Sequence, residues 1–155
     1  MLMSASSRRR FLQRLLQGFM LLPLGLFTTR RAIATNTVDV RFINRALELA
    51  RIGSARGDGT HYGALVVRAD VIVAEGWNRV HLRGDATAHA EVEAIREAAR
   101  VLGTRDLAGC TLYTNGGRPC RMCEGAAHFA DIDRLVYATS ADAITDAGRP
   151  QLGGC

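Results

Sequence analysis

Two short segments of the chain carry residues that together could hold a catalytic metal ion. The first is His89-Ala90-Glu91, and the second is the Pro-Cys-x-x-Cys run that contains Cys120 and Cys123. One imidazole and two thiolates are ligands that Zn²⁺ favours, and a site with only three protein ligands keeps a position open for water. Glu91 supplies a carboxylate that need not bind the metal and can carry a proton. The pattern predicts a hydrolytic zinc site with His89, Cys120 and Cys123 as ligands and Glu91 as proton shuttle.

A Cys-x-x-Cys pair has other uses. It occurs in thiol oxidoreductases, and in an oxidising compartment it can form a disulfide. This alternative for Cys120 and Cys123 gives no role to His89 or Glu91, so the zinc interpretation is favoured. A histidine that stood alone at a helix start would more often be a hydrogen-bonding residue.

The elements that must position these residues alternate between helices and strands. Apolar residues at helical spacing predict the helices, and β-rich runs between turn residues predict the strands. The predicted helices cover 38–52, 88–102, 120–130 and, as a short element, 142–147; the predicted strands cover 62–68, 71–77, 110–114 and 134–138. Ala69-Asp70 predicts a hairpin turn, and residues 79–85 are expected to form a polar loop. This order predicts an α/β fold with a mixed sheet.

Both motif segments stand at the start of a predicted helix. A helix N-terminus carries partial positive charge and unpaired N–H groups. We therefore expect the field there to favour the thiolate forms of Cys120 and Cys123. Further along the first of these helices, Glu93 and Glu97 are interpreted as solvated glutamates.

With their surroundings, the motifs resemble the cytidine deaminase-like superfamily, and most of all its purine-type branch of bacterial guanine deaminases and tRNA adenosine deaminases. The similar stretches are 63–67, 74–78, 87–95, 112–114 and 119–123. The resemblance covers most of the chain from about Phe42 to Asp146. It implies a three-layer α/β/α sandwich with a mixed sheet of about five strands, a Zn²⁺ cofactor and a homodimer.

The resemblance also implies substrate-binding residues. Asn78 would contact the edge of a base or a ribose with its amide, Ala90 would offer its backbone N–H to a base carbonyl, and Asp142 would contact the base. Two of these residues have ordinary alternatives, since Asn78 could be a turn residue and Asp142 a helix N-cap.

The implied reaction is hydrolytic deamination of a free nucleobase or nucleoside, with guanine as the expected substrate. Deamination of adenosine in tRNA or another nucleic acid is the alternative activity. A catalytically inactive, zinc-stabilised relative is a further alternative, because Gly116-Gly117-Arg118 stands where the family has a loop one residue shorter ending in Glu. The chain is also expected to lack the C-terminal segment that helps to close the pocket in guanine deaminases.

The first 34 residues have the features of an export signal. They place a run of arginines before Phe11-Leu12, an apolar stretch from about Leu15 to Phe27, and Ala32-Ile33-Ala34 at the end. The arginines resemble a twin-arginine signal. We therefore expect two parts, an export signal at 1–34 and a deaminase domain at 35–155. The twin-arginine export machinery would recognise residues 1–34, and the protein would be periplasmic. An uncleaved leader would instead anchor the protein to the membrane.

The charge of the chain lies mainly in that leader. The whole sequence has a formal charge of +5, but residues 35–155 contain 14 basic and 15 acidic side chains. The near-neutral balance gives no strong case for nucleic-acid binding and favours a small-molecule base or nucleoside as the partner.

Overall fold

The computed structural model describes residues 25–139 and 143–152, with side chains from residue 37 onward. Its helices are α1 (Gly25–Ala55), α2 (Val80–Arg83), α3 (Ala90–Leu102) and α4 (Arg121–Phe129). Its strands are β1 (Gly63–Arg68), β2 (Val71–Trp77), β3 (Cys110–Asn115), β4 (Arg134–Ala138) and β5 (Ile144–Asp146). Within these ranges, no helix combines the length and the apolarity that crossing a membrane requires.

The five strands form one mixed sheet in the order β2-β1-β3-β4-β5. β3 and β4 are parallel and are joined through α4, whereas the other neighbouring pairs are antiparallel. Ala69 and Asp70 connect β1 to β2 with φ angles of 49° and 61°, the positive values that tight hairpin turns require. The predicted mixed sheet of about five strands is confirmed.

Two groups of buried side chains lie on opposite faces of this sheet. On one face, Ala94 of α3 and Ala127 of α4 belong to the same apolar cluster as Leu112 of β3. On the other face, Phe42 of α1 belongs to a cluster with Leu65 of β1. Alternate residues of a strand point to opposite faces, so the sheet lies between α1 and the α3–α4 pair. This arrangement is the predicted three-layer α/β/α sandwich.

Gly76 allows α3 to lie directly against β2. A Cβ atom at this position would be only 2.6 Å from the carbonyl oxygen of Ala90 and the backbone nitrogen of Ala94. Any side chain there would push the first turns of α3 away from the sheet. Because the predicted metal-binding histidine immediately precedes α3, this close approach also fixes the position of the candidate site.

A buried polar network links α1 to the sheet. Asp39, 5% exposed, accepts a hydrogen bond of 2.7 Å from the Tyr113 hydroxyl and two from the Arg134 guanidinium, of 2.7 and 3.0 Å. Burial, together with the neighbouring Asp39 carboxylate, raises the pKa of Tyr113. We call these three residues the Asp39 network; it joins α1, β3 and β4.

The structure corrects two predicted elements. Residues 142–147 were expected to form a short helix, but Ile144–Asp146 is strand β5, which pairs with β4 from Val136 to Ala138. The open edge of β4 and the β-branched pair Ile144-Thr145 favour a strand here. The expected polar loop at 79–85 contains the single-turn helix α2, whose His81 and Leu82 N–H groups both donate to the Asp58 carbonyl.

Candidate metal centre and active site

The predicted ligands lie at the starts of two neighbouring helices. His89 is the residue before α3, and Cys120 is the residue before α4; both have extended backbone, with ψ angles of 155° and 163°. Neither side chain makes a capping hydrogen bond to its own helix. Cys123 lies in the first turn of α4, so both cysteines face the imidazole that stands before α3.

The donor atoms have the separations that a tetrahedral zinc ion requires. His89 Nδ1 is 3.7 Å from Cys120 Sγ and 3.6 Å from Cys123 Sγ, and the two sulfur atoms are 3.5 Å apart. Zinc–sulfur bonds of about 2.3 Å and zinc–nitrogen bonds of about 2.0 Å put tetrahedral neighbours about 3.5 to 3.8 Å apart. The residues present therefore fit zinc, and the three predicted ligands are brought together.

The electrostatics of Cys123 also favour a bound cation. Burial, and to a lesser degree the nearby Glu91 charge, raises the pKa of the Cys123 thiol. The positive field at the start of the helix, which was expected to favour the thiolate, is therefore not enough by itself to stabilise the thiolate form of Cys123. A divalent cation supplies the missing positive charge, because metal binding displaces the thiol proton.

Glu91 lies beside the ligands, where a proton shuttle would have to be. Its side chain is buried, and Oε2 is 3.4 Å from Cys123 Sγ while Oε1 accepts a 3.2 Å hydrogen bond from the Thr114 hydroxyl. One oxygen is thus oriented by the sheet and the other faces the metal-binding group. The carboxylate can exchange protons there without being a ligand.

A pocket of about 200 Å³ opens at this point. His89, Glu91 and Asn78 line it, as does Cys120. Asn78 is 4% exposed, and its Oδ1 accepts a 3.2 Å hydrogen bond from the Val80 N–H, which orients the amide. The structure therefore brings Asn78 to the same pocket as the predicted ligands and proton shuttle.

Ala90, another predicted substrate contact, is not among the residues that line the pocket. Ala90 is the first residue of α3 and is fully buried, and its side chain lies against the sheet rather than among the pocket-lining residues. The proposed hydrogen bond from its N–H stays a prediction. Asp142 lies outside the described residues.

Residues 36–139 match the cytidine and deoxycytidylate deaminase zinc-binding region. The chain belongs to this family. It is therefore a hydrolytic deaminase with a zinc cofactor, and its five-stranded α/β sandwich is the fold of the family.

Several characterised members of the family resemble this deaminase closely. The guanine deaminase of Bacillus subtilis is 44% identical over 107 residues, which make up 69% of this chain and 68% of that protein. Its solved structure superimposes with a TM-score of 0.60 at 45% identity, over 63% of this chain and 62% of that one. The tRNA-specific adenosine deaminase of Haemophilus influenzae is 39% identical over 102 residues, 66% of this chain and 58% of that protein.

The Gly116-Gly117-Arg118 loop before the second motif is attached to both β4 and α4. Gly116 and Gly117 have φ angles of 92° and 93°, which favour glycine, and both N–H groups donate to the Ala138 carbonyl of β4. The Arg118 Nε donates a 2.8 Å hydrogen bond to the buried Glu124 carboxylate of α4. The loop is thus held at both ends, and Arg118 brings a positive charge to the rim of the pocket.

Two further site residues had no predicted function. Thr114 orients Glu91, as described above. Asn115 lines the pocket, and its side chain accepts a 2.6 Å hydrogen bond from Gly63 N–H and donates one of 3.2 Å to the His61 carbonyl. Their position at the end of a strand, directly before the Gly-Gly turn, is a signal that could have identified them, because site residues often follow a strand end.

Proposed function

We propose that the protein deaminates a free purine base or nucleoside by hydrolysis, with guanine as the preferred substrate. The observation that carries the proposal is a buried carboxylate, Glu91, beside a three-ligand zinc group in a pocket of about 200 Å³. Pockets for drug-sized ligands have about 300 to 1,000 Å³, so this one suits a single heterocycle. The similarity to the Bacillus subtilis guanine deaminase favours a purine.

In this mechanism zinc, when bound by His89, Cys120 and Cys123, lowers the pKa of water toward neutrality. Glu91 accepts a proton from the attacking water and delivers it to a ring nitrogen. Glu91 then takes the proton of the hydroxyl group newly formed on the ring carbon and passes it to the amino group. The C–N bond breaks, the amino group leaves as ammonia, and the ring carbon becomes a carbonyl. Thr114 holds one Glu91 oxygen in place.

The residues around the pocket would bind and orient the substrate. Asn78 and Asn115 offer amide groups to the polar edge of a purine. Tyr62 lines the same pocket and offers an aromatic face and a hydroxyl. The base would thereby be fixed with its amino-bearing carbon toward Glu91, and burial of the ring would exclude bulk water from the reacting atoms.

The experiment that tests this proposal measures zinc content and ammonia release with the full chain. A panel of bases and nucleosides is compared for the wild type, Glu91→Gln and the control Glu48→Gln, which makes the same chemical change on the exposed surface of α1. Glu91→Gln should keep zinc and lose about a hundredfold or more in rate, whereas Glu48→Gln should match the wild type. Zinc without turnover on any substrate would favour the inactive alternative.

Deamination of adenosine in tRNA is a second candidate, favoured by the 39% identity to the Haemophilus influenzae enzyme. Against it stands the near-neutral charge of residues 35–155. Conversion of adenosine in a tRNA substrate, with binding that weakens steeply as salt rises, would replace the guanine proposal. Turnover of guanine that is unaffected by added tRNA would exclude this candidate.

We also propose that the protein is exported by the twin-arginine route, on the basis of the arginines before Phe11 and the Ala32-Ile33-Ala34 site. That route carries folded proteins, so zinc would bind before the cysteines meet an oxidising compartment. Mass spectrometry of periplasmic material should give an N-terminus at Thr35. Full-length protein confined to the cytoplasm would refute export.

We propose a homodimer as the working assembly, from the resemblance to the family. Light scattering of the zinc-loaded protein should give twice the mass of one chain. A monomer that retains full activity would contradict this assembly.

A further inference from the structure

A second cavity lies among β2, the segment 79–88 and α3. Its volume is about 400 Å³, twice that of the catalytic pocket, and the two cavities share no lining residue. Its walls carry a set of arginines: Arg79, Arg83, Arg96 and Arg100. We call this cavity the arginine pocket.

Three of these arginines converge on one buried carboxylate. The Glu93 side chain is only 4% exposed and is 3.3 Å from Arg79 Nη1, 2.8 Å from Arg83 Nη2 and 3.2 Å from Arg96 Nη1. The prediction that Glu93 is a solvated glutamate was therefore wrong. Three guanidinium groups against one carboxylate leave an excess of positive charge, which the partly exposed Asp85, 3.9 Å from Arg96, offsets only in part.

The other acidic residues of the pocket are already neutralised. Glu75 forms two hydrogen bonds with Arg45, of 2.6 and 2.8 Å, and Glu97 forms two with Arg100, of 2.6 and 2.8 Å. Neither carboxylate is therefore available to balance the three arginines around Glu93. A bound anion would provide the balance.

We propose that the arginine pocket binds a phosphate group, supplied by inorganic phosphate or by a mononucleotide. A guanidinium carries five N–H donors in a fixed fork that matches phosphate oxygens, and one carboxylate cannot accept from all the donors of three such groups. Glu93 holds the guanidiniums together in advance. Arg79 is restrained further because its guanidinium stacks on the Trp77 ring at 4.1 Å.

Phosphate in this pocket would join two elements that carry the catalytic site. Arg79 and Arg83 belong to the segment 79–88, whereas Arg96 belongs to α3. That segment connects Asn78 to His89, and a 2.9 Å hydrogen bond from the Arg79 N–H to the Ala88 carbonyl joins its two ends. An anion that bridges the segment and α3 would therefore stabilise the segment that connects a substrate residue to a metal ligand.

The test is isothermal titration of the zinc-loaded full chain with inorganic phosphate, at constant ionic strength set with chloride. The pocket variant is Arg83→Gln with Arg96→Gln. Its control, Arg51→Gln with Arg105→Gln, removes the same charge from exposed positions outside the pocket. The pocket variant should bind phosphate about tenfold or more weakly, since each lost arginine removes charge-assisted hydrogen bonds, while the control should bind as the wild type does.

Zinc content and thermal unfolding verify that each variant is folded. Arg83→Gln alone removes a half-exposed side chain and should weaken phosphate binding in the same direction, but less. Competition by guanosine 5′-monophosphate would identify a mononucleotide as the source of the phosphate, and its failure would identify free phosphate. Equal phosphate affinity in the pocket variant and the control would overturn the proposal. The proposal would also be overturned if phosphate and the mononucleotide failed to bind the wild type, while single-stranded RNA bound the wild type but not the pocket variant.

Discussion

Replacing Thr114 with valine tests how far the sheet orients the Glu91 carboxylate, which we propose carries the proton. Thr114 is fully buried in β3, and its hydroxyl lies 3.2 Å from Glu91 Oε1. Valine has the same shape but no hydroxyl, so the Glu91 side chain loses its hydrogen bond to the sheet without a large change in packing. Thr114 is a positioning residue, because it does not line the catalytic pocket.

The size of the effect follows from the geometry. A hydrogen bond to a charged group contributes about 1.5 to 3 kcal/mol. The Thr114 bond belongs at the lower end, because it is long and the hydroxyl is also 3.2 Å from the Gly63 carbonyl and 3.3 Å from the Asn115 carbonyl. About 1.5 kcal/mol of lost orientation corresponds to roughly a tenfold lower kcat.

The assay is steady-state kinetics of ammonia release from the best substrate. Zinc content is measured on the same samples. Thr114→Val should lower kcat about tenfold, with KM and zinc content close to those of the wild type. Thr114→Ser keeps the hydroxyl and should restore most of the rate. An unchanged kcat in the valine variant, or a serine variant as slow as valine, would refute the positioning role.

Three other substitutions test the surroundings of the site. Asp39→Asn should lower the free energy of unfolding in urea by about 2 kcal/mol, because it weakens hydrogen bonds to the charged carboxylate of the Asp39 network. A loss near zero would contradict this. Gly116→Ala should reduce zinc content and activity, since φ is 92° and a Cβ would lie 2.3 Å from the Tyr62 ring; a fully active variant would contradict this. Hydrogen bonds from the Thr87 hydroxyl and N–H lower the pKa of Asp85 below its ordinary value of 3.8. The stability that this lowered pKa adds is present above pH 3.8 and is lost as pH falls through the folded-state pKa of Asp85. NMR titration should find the pKa of Asp85 higher in Thr87→Val than in the wild type.

The sequence was sufficient to predict that the three candidate zinc ligands come together, because these residues lie in two local motifs. His89 and Cys120 each precede a helix that the apolar spacing predicts, and the Cys-x-x-Cys spacing places Cys123 one turn after Cys120. The pairing of Glu91 with this group follows from its place in the first turn of α3. These relations depend on short-range geometry, and short-range geometry can be inferred from residue order.

Other features depend on residues far apart in the chain and could not be predicted in this way. Glu93 has the same sequence context as a solvated helix glutamate, but Arg79 and Arg83, which precede α3 in the chain, contact its carboxylate. Residues 144–146 become a strand because β4 offers a free edge. The roles of Thr114 and Asn115 likewise come from groups across the sheet.

His89 and Cys120 occupy the N-cap positions of their helices, where serine, threonine or aspartate would normally bond to the first backbone N–H groups. Neither does so, and each missing cap costs about 1 kcal/mol of stability. In the zinc-free chain, the two ligands thus lower the stability of the helices that carry them. Descendants released from selection for catalysis would gain stability by exchanging them for capping residues. A serine at either position would cap its helix but would remove a thiolate or imidazole ligand from the zinc site.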